Sequence, residues 1–138
     1  MPVSEQKTQK IMKKAALSLT LLIASSAVWA DWVRYAENEI GDVFFYEDKS
    51  VKKEENPTVW ILIDYKTPLK HHNYTVQSTK YLLQAYCKER STRELSSYGY
   101  AQTHGEGKIV HIRESGGKWA PVSPGSAEED FFNLLCKS

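Results

Sequence analysis

The N-terminal segment constrains the fold most, because it differs from the rest of the chain. Four lysines (Lys7, Lys10, Lys13 and Lys14) precede an uncharged apolar run over residues 15–28. This order of charge and hydrophobicity is typical of a secretory signal peptide. The run leads into Val28-Trp29-Ala30, with Ala directly before the expected cut. We therefore predict that residues 1–30 are removed by cleavage between Ala30 and Asp31.

Two alternatives concern this segment. Met12 precedes Lys13 and Lys14, so residues 1–11 can instead be an extension upstream of the true start at Met12. A membrane anchor is the other alternative. A transmembrane helix needs about 20 apolar residues, and this run is shorter. We therefore expect a mature protein that does not span the membrane and is periplasmic or secreted.

The predicted mature chain, residues 31–138, has 108 residues, which corresponds to one domain. Cleavage removes four lysines and one glutamate, so the net charge of +1 becomes −2. Neutralisation of nucleic-acid phosphates requires a basic surface, which this composition does not provide. We therefore predict that the chain does not bind nucleic acid.

Both cysteines, Cys87 and Cys136, lie in the mature part of the chain. Disulfides form and persist in the compartments that exported proteins enter. A Cys–His nucleophilic pair is the alternative, but it would leave the second thiol open to oxidation. We therefore predict a structural disulfide between Cys87 and Cys136.

The mature sequence consists of short β-rich runs separated by turn residues, a pattern that indicates an antiparallel sheet. The strongest run is Thr58–Tyr65, where apolar residues on both faces predict a central strand. Residues 67–76 are polar and contain Pro68, so we expect a long connecting loop there. In the run from 78 to 90, Cys87 shares a face with Leu83 and Ala85 and should face the core. The other predicted strands are 32–35, 43–46, 50–52, 93–103 and 108–114.

The C-terminal segment has helical periodicity. Ser126 and Glu129 form the Ser-x-x-Glu capping-box pattern directly after Pro124-Gly125. Apolar residues then recur at helical spacing and predict an amphipathic helix over 127–136. A helix this short is marginally stable alone and must dock on the sheet. The predicted fold class is therefore α+β: a single antiparallel sheet of about six strands, with the C-terminal helix packed on one face and tied to it by the disulfide.

No reactive constellation is evident in the sequence. The adjacent pair His71-His72 and the separate His104 and His111 lack a further ligand at metal-binding spacing. No nucleophile, metalloprotease or phosphate-loop motif occurs. The acidic residues Glu128 to Asp130 fit the first turn of a helix better than acid–base chemistry. We predict no metal, no cofactor, no catalytic residue and no enzymatic activity.

One cluster of residues could contact a partner. Lys88, Arg90 and Arg93 surround a predicted hairpin, and Tyr98 follows nearby. Arg and Tyr are favoured at protein interfaces. The alternative is a charged sheet edge that discourages aggregation.

The order of several landmarks resembles the surface-adhesin protein E-like family of small exported bacterial proteins. These landmarks are Trp60–Tyr65, Ser78–Lys80, Tyr86-Cys87, Arg90, Arg93, Trp119, Pro124–Ser126 and Cys136. The resemblance implies a sheet of about six strands with a disulfide-tied helix, binding to host matrix and plasma proteins, and pairing as dimers. Founding members are surface lipoproteins, whereas this chain has Asp31, not a lipid-bearing Cys, after the predicted cut.

These observations predict a non-enzymatic, adhesin-like binding protein. Its expected partner is a host matrix protein or an envelope component, and it is expected to be a monomer or a homodimer. The alternative function is a periplasmic inhibitor of a hydrolase such as a lysozyme or a protease. In that case the turn at His104–Gly107 or the loop at Lys70–Tyr74 would probe the active site of the hydrolase.

Overall fold

The computed structural model describes residues 31–114 and 116–137. The predicted signal peptide and the Ala30 side of its cleavage site lie outside these residues. Within them, no helix is long and apolar enough to cross a membrane. The elements are β1 (Trp32–Glu37), β2 (Val43–Glu47), β3 (Thr58–His71), β4 (Tyr74–Tyr86), β5 (Ser91–Tyr100), β6 (Ile109–Arg113), β7 (Ala120–Pro121) and α1 (Ala127–Cys136).

The strands form one antiparallel sheet in which neighbours along the chain are neighbours in space. The order is β1-β2-β3-β4-β5-β6, and the two-residue β7 pairs with the start of β5. The central strand β3 has fully buried Val59, Ile61 and Leu62. The prediction from the Thr58–Tyr65 run, that this strand is central, is confirmed.

Helix α1 covers one face of the sheet. Its Phe131, Phe132 and Leu135 are buried and belong to one apolar core with sheet residues such as Val59 and Leu83. Tyr35 on β1 adds a ring contact to Phe131 at 5.0 Å between centroids. The predicted fold class, with α1 packed on a single face, is confirmed.

Both ends of α1 have side-chain partners. Ser126 Oγ accepts a hydrogen bond of 3.2 Å from the Glu129 N–H. The predicted capping box would also have the Glu129 carboxylate accept from the Ser126 N–H. Instead, the Glu129 carboxylate accepts from the Gly125 N–H, and the Ser126 N–H donates to the Ser123 carbonyl. At the other end, Lys53 Nζ donates to the Leu134 and Leu135 carbonyls at 3.2 and 3.4 Å. A cation at that end is favourable because the helix dipole is negative there.

The disulfide joins Cys87 to Cys136, with their Cα atoms 5.5 Å apart. Cys136 is the last residue of α1, so the bond fixes the end of the helix to the sheet. Cys87 was predicted to lie in a strand, but it does not. It begins a 3-10 turn, Cys87–Glu89, directly after β4.

The chain reverses earlier than predicted, because the predicted runs 78–90 and 93–103 placed the reversal at residues 91–92. The turn lies at 87–90, with Arg90 in the left-handed conformation at φ 47°, and Ser91-Thr92 already begin β5. Residues 48–50 also form a 3-10 turn, so the predicted strand at 50–52 is reduced to one bridge between Lys52 and Thr58. Both differences arise because tight reversals depend on backbone dihedrals that side-chain alternation does not encode.

The prediction of a long loop over residues 67–76 was wrong. Strands β3 and β4 continue to His71 and Tyr74, joined by the two residues 72 and 73. Beyond Asp64, β3 no longer pairs with β2, so this hairpin arm is two-stranded and solvated, which explains its polar composition. Pro68 is tolerated because it lies in the register irregularity between Asp64 and Leu69 on the unpaired side.

Candidate protein-binding face

Within residues 31–114 and 116–137, no α-helix lies over the sheet face opposite α1, and we call this the open face. Strand alternation places several aromatic residues on it. They include Trp32 on β1, Phe45 on β2, Trp60 on β3 and Tyr98 on β5. All four side chains are half-buried, so each presents part of its ring to solvent. Trp and Tyr dominate the energetically important positions of protein interfaces.

Lys80 organises the middle of the open face. Its ammonium group lies 5.6 Å from the ring centroid of Trp32 and 5.1 Å from that of Tyr100. Trp60 and Tyr98 lie beside it with their ring centroids 6.1 Å apart. These side chains and Glu47 line a shallow recess of about 250 Å³. Cation–π attraction holds Lys80 and the rings in one arrangement.

A second aromatic group extends the open face toward the 87–90 turn. Trp119 packs on Tyr86 with ring centroids 5.6 Å apart, and the Arg93 guanidinium lies 4.5 Å above the Trp119 ring. Arg93 Nε also donates to Gln84 Oε1 at 2.8 Å. Trp119 remains 37% exposed. Trp, Tyr and Arg, the three residue types most enriched at interface hot spots, therefore meet at one place.

The turn at Thr103–Gly105 folds back over the other end of the open face. The His104 N–H donates to Asp64 Oδ1 at 2.6 Å, and the Gly105 N–H donates to Ser78 Oγ at 2.9 Å. Gly105 has φ 66°, and a Cβ there would collide with the Lys80 side chain. The turn is therefore pinned to the sheet and does not project from it.

The predicted cluster of basic and tyrosine residues is divided between the two sides of the sheet. Arg93 and Tyr98 lie on the open face. Arg90 turns the other way, with its guanidinium 5.0 Å from the Phe132 ring and 3.3 Å from the Glu129 carboxylate. Lys88 is exposed in the 3-10 turn. The sequence did not single out Trp32 and Trp119, although Trp119 was among the family landmarks.

The histidines lie in different surroundings. His104 Nδ1 is 2.9 Å from Asp64 Oδ2 and its ring contacts Phe45. His71 and His111 stack at the tip of the β3–β4 arm, with ring centroids 6.4 Å apart. Tyr74 joins them through a 3.2 Å hydrogen bond between its hydroxyl and His111 Nδ1. Among residues 31–114 and 116–137, no group of three or more His, Cys, Asp or Glu could hold a metal ion.

Comparison with known proteins gave one family and several structures. The family model described as surface-adhesin protein E matches residues 32–137. A structure of Haemophilus influenzae protein E in crystal form II is similar, with a TM-score of 0.61 and 10% identity over 79% of this chain and 89% of that chain. Protein E from non-typeable Haemophilus influenzae has a TM-score of 0.58 and 10% identity over 80% of this chain and 78% of that chain. No curated protein matches the sequence.

Proposed function

Because the chain belongs to the surface-adhesin protein E family, we propose that it is an exported, non-enzymatic protein that binds a protein partner through its open face. The partner is a host matrix protein or a protein of the cell envelope. The observation that carries the proposal is the uncovered row of Trp, Tyr and Arg side chains on a rigid sheet. A surface of this kind binds well, because its rings lose little conformational entropy on contact.

Three features favour a protein-binding function over an enzymatic one. The rings of the open face are held by contacts with one another, as between Lys80 and Trp32, and so are ordered before a partner arrives. The 103–105 turn is anchored by two hydrogen bonds and adds a rigid rim. The helix and the disulfide are on the other side of the sheet and leave this surface accessible.

The protein acts as a monomer or a homodimer in the periplasm or after secretion.

The experiment measures binding of the exported, purified protein to immobilised matrix proteins and envelope fractions. The test variant is Trp119→Ala, because Trp119 contacts Tyr86 and Arg93 at the surface. Loss of an aromatic anchor of this kind weakens binding by about 30-fold. The matched control is Ile40→Ala, since Ile40 is 73% exposed but lies in the β1–β2 connection.

Two results would remove the proposal. One is binding no stronger than that of an unrelated exported protein. The other is equal loss of binding in the Trp119 and Ile40 variants. Circular dichroism of both variants establishes that they are folded before binding is compared.

The second candidate function is inhibition of a hydrolase, and the observation that favours it is the two-stranded β3–β4 arm. Its tip carries the exposed His71 and His72 and the half-buried Tyr74 on a two-residue connection. A narrow arm can enter a substrate cleft, whereas the pinned 103–105 turn cannot. Titration of lysozymes and proteases with the purified protein tests it, and Tyr74→Ala should relieve any inhibition. No inhibition at equimolar protein excludes this function for the enzymes titrated.

A further inference from the structure

A cavity of about 640 Å³ lies on the helix side of the sheet, opposite the open face. Its floor is formed by Ile63, Tyr65, Tyr81 and Leu83 of β3 and β4. Its walls come from the start of α1 and from the segment that contains Lys118 and Ala120. Typical small-molecule sites have volumes of about 300–1,000 Å³, so the cavity has the size of a ligand site.

Carboxylates outnumber cations around this cavity. The acidic lining residues are Glu37, Glu39, Glu94, Glu128 and Asp130, and the basic ones are Arg93 and Lys118. Arg93 is engaged elsewhere, since its guanidinium donates to Gln84 and lies on Trp119. Within the described ranges, neither Glu94 nor Glu128 forms an ion pair. The two carboxylates are therefore available to a cation that enters.

The sheet holds one of the two carboxylates and α1 holds the other. Glu94 pairs with Leu83 across β4 and β5, so its side chain is on the cavity face. Glu128 lies in the first turn of α1, where it accepts a hydrogen bond from the buried Thr92 hydroxyl. One carboxylate thus comes from the floor and the other from the helix wall.

Two tyrosines complete the polar lining. Tyr65 donates to Thr79 Oγ1 at 3.0 Å, whereas the Tyr81 hydroxyl has no hydrogen-bond partner among the residues that the structure describes. Burial raises the pKa of both phenols, and the charge of Glu94 raises both further. Burial also raises the pKa of the Glu128 carboxyl. Tyr81 and Glu128 are therefore partly shielded from water, the potential of the cavity is negative, and the Tyr81 oxygen has no partner among the described residues.

We propose that this cavity binds a small organic cation, an ammonium or guanidinium group held between Glu94 and Glu128 against the faces and hydroxyls of Tyr65 and Tyr81. Charge-assisted hydrogen bonds to carboxylates are about twice as strong as neutral ones. Tyrosine rings add cation–π attraction, which is stronger where water is excluded. An anion would meet the same negative potential and is rejected. The site is on the opposite side of the sheet from the open face, so it does not depend on the proposed protein-binding function.

The experiment is calorimetric titration of the full exported protein with agmatine, which has a guanidinium at one end and an ammonium at the other. Pentylurea, in which a neutral urea replaces the guanidinium and a methyl group replaces the ammonium, is the uncharged comparison ligand and should not bind. Nα-acetylarginine amide tests whether the cavity also binds the guanidinium of an arginine side chain. Binding of agmatine alone identifies a free amine as the ligand, and binding of both identifies the guanidinium as sufficient.

Two variants locate the site. Glu94→Gln keeps the shape of the side chain, removes its charge, and should weaken agmatine binding by about tenfold or more. Tyr81→Phe removes a hydroxyl that no described residue uses, and should weaken binding about twofold to tenfold without loss of stability. The control is Glu89→Gln, which removes the same charge from the exposed 87–89 turn. Failure of agmatine to bind, equal binding of pentylurea, or equal effects at Glu94 and Glu89 would overturn the proposal.

Discussion

Arg90 has a left-handed backbone, with φ 47° and ψ 49°, at the reversal between β4 and β5. This conformation costs a residue with a Cβ about 1–2 kcal/mol, and glycine nearly none. Arg90 compensates with its contacts to Phe132 and Glu129. We expect Arg90→Ala to destabilise the protein more than Arg90→Gly, by up to about 1 kcal/mol after the extra chain entropy of glycine is subtracted. Urea denaturation of both variants measures the difference, and a more stable Ala variant would contradict it.

Glu128 should give the stability of the protein a specific pH dependence. Burial raises the pKa of its carboxyl in the folded state above the unfolded value, so the folded state favours the protonated form. The stability contributed by this proton is complete below the unfolded pKa and is lost as pH rises through the folded pKa. Glu128→Gln keeps an oxygen acceptor for Thr92 but removes this dependence.

Melting temperatures of wild type and Glu128→Gln between about pH 7 and about pH 4 test this prediction. The melting temperature of wild type minus that of the variant should increase as pH falls. Glu89→Gln, in an exposed turn, serves as the charge-matched control. A difference that is constant with pH, or that shifts the other way, would count against a buried Glu128.

At the scale of elements, the disulfide and the apolar face of α1 both hold this helix against the sheet. The bond links Cys87 and Cys136 across a sequence separation of 49, for which the loop-entropy model gives about 4 kcal/mol. Reduction, or Cys87→Ser, should therefore lower the melting temperature by on the order of 20 °C. The helix should loosen first, since its C-terminal end loses the bond. Thermal melting of wild type with and without reductant tests this, and the double serine variant should not respond to reductant.

At the scale of the whole molecule, stability should fall from the centre of the sheet to its edges. Val59, Ile61 and Leu62 of β3 are fully buried, whereas most of β6 is exposed and pairs on one side only, with β5. Amide hydrogen exchange should therefore be slowest at the centre of β3 and β4 and fastest in β6, β7 and the β3–β4 arm. Uniform protection across the sheet would show that the edges do not open independently.

The sequence alone predicted the elements that have a local pattern. Alternation with apolar residues on both faces identified β3, and Ser126 with the apolar residues after it identified α1. Two cysteines in a chain with a predicted export signal predicted the disulfide. The inferences about β3 and α1 succeeded because strand and helix periodicities and capping are properties of neighbouring residues.

Tertiary structure decided the features that depend on distant partners. Residues 67–76 are mostly polar, yet they form strands because the end of β3 pairs with the start of β4. The side on which α1 docks separates Arg90 from Arg93 and leaves Trp32 and Trp119 on the open face. It also brings Glu128 of the helix to Glu94 of β5 around one cavity. Only the packing of elements from distant parts of the chain places these groups together, because no local pattern specifies which face a helix will cover.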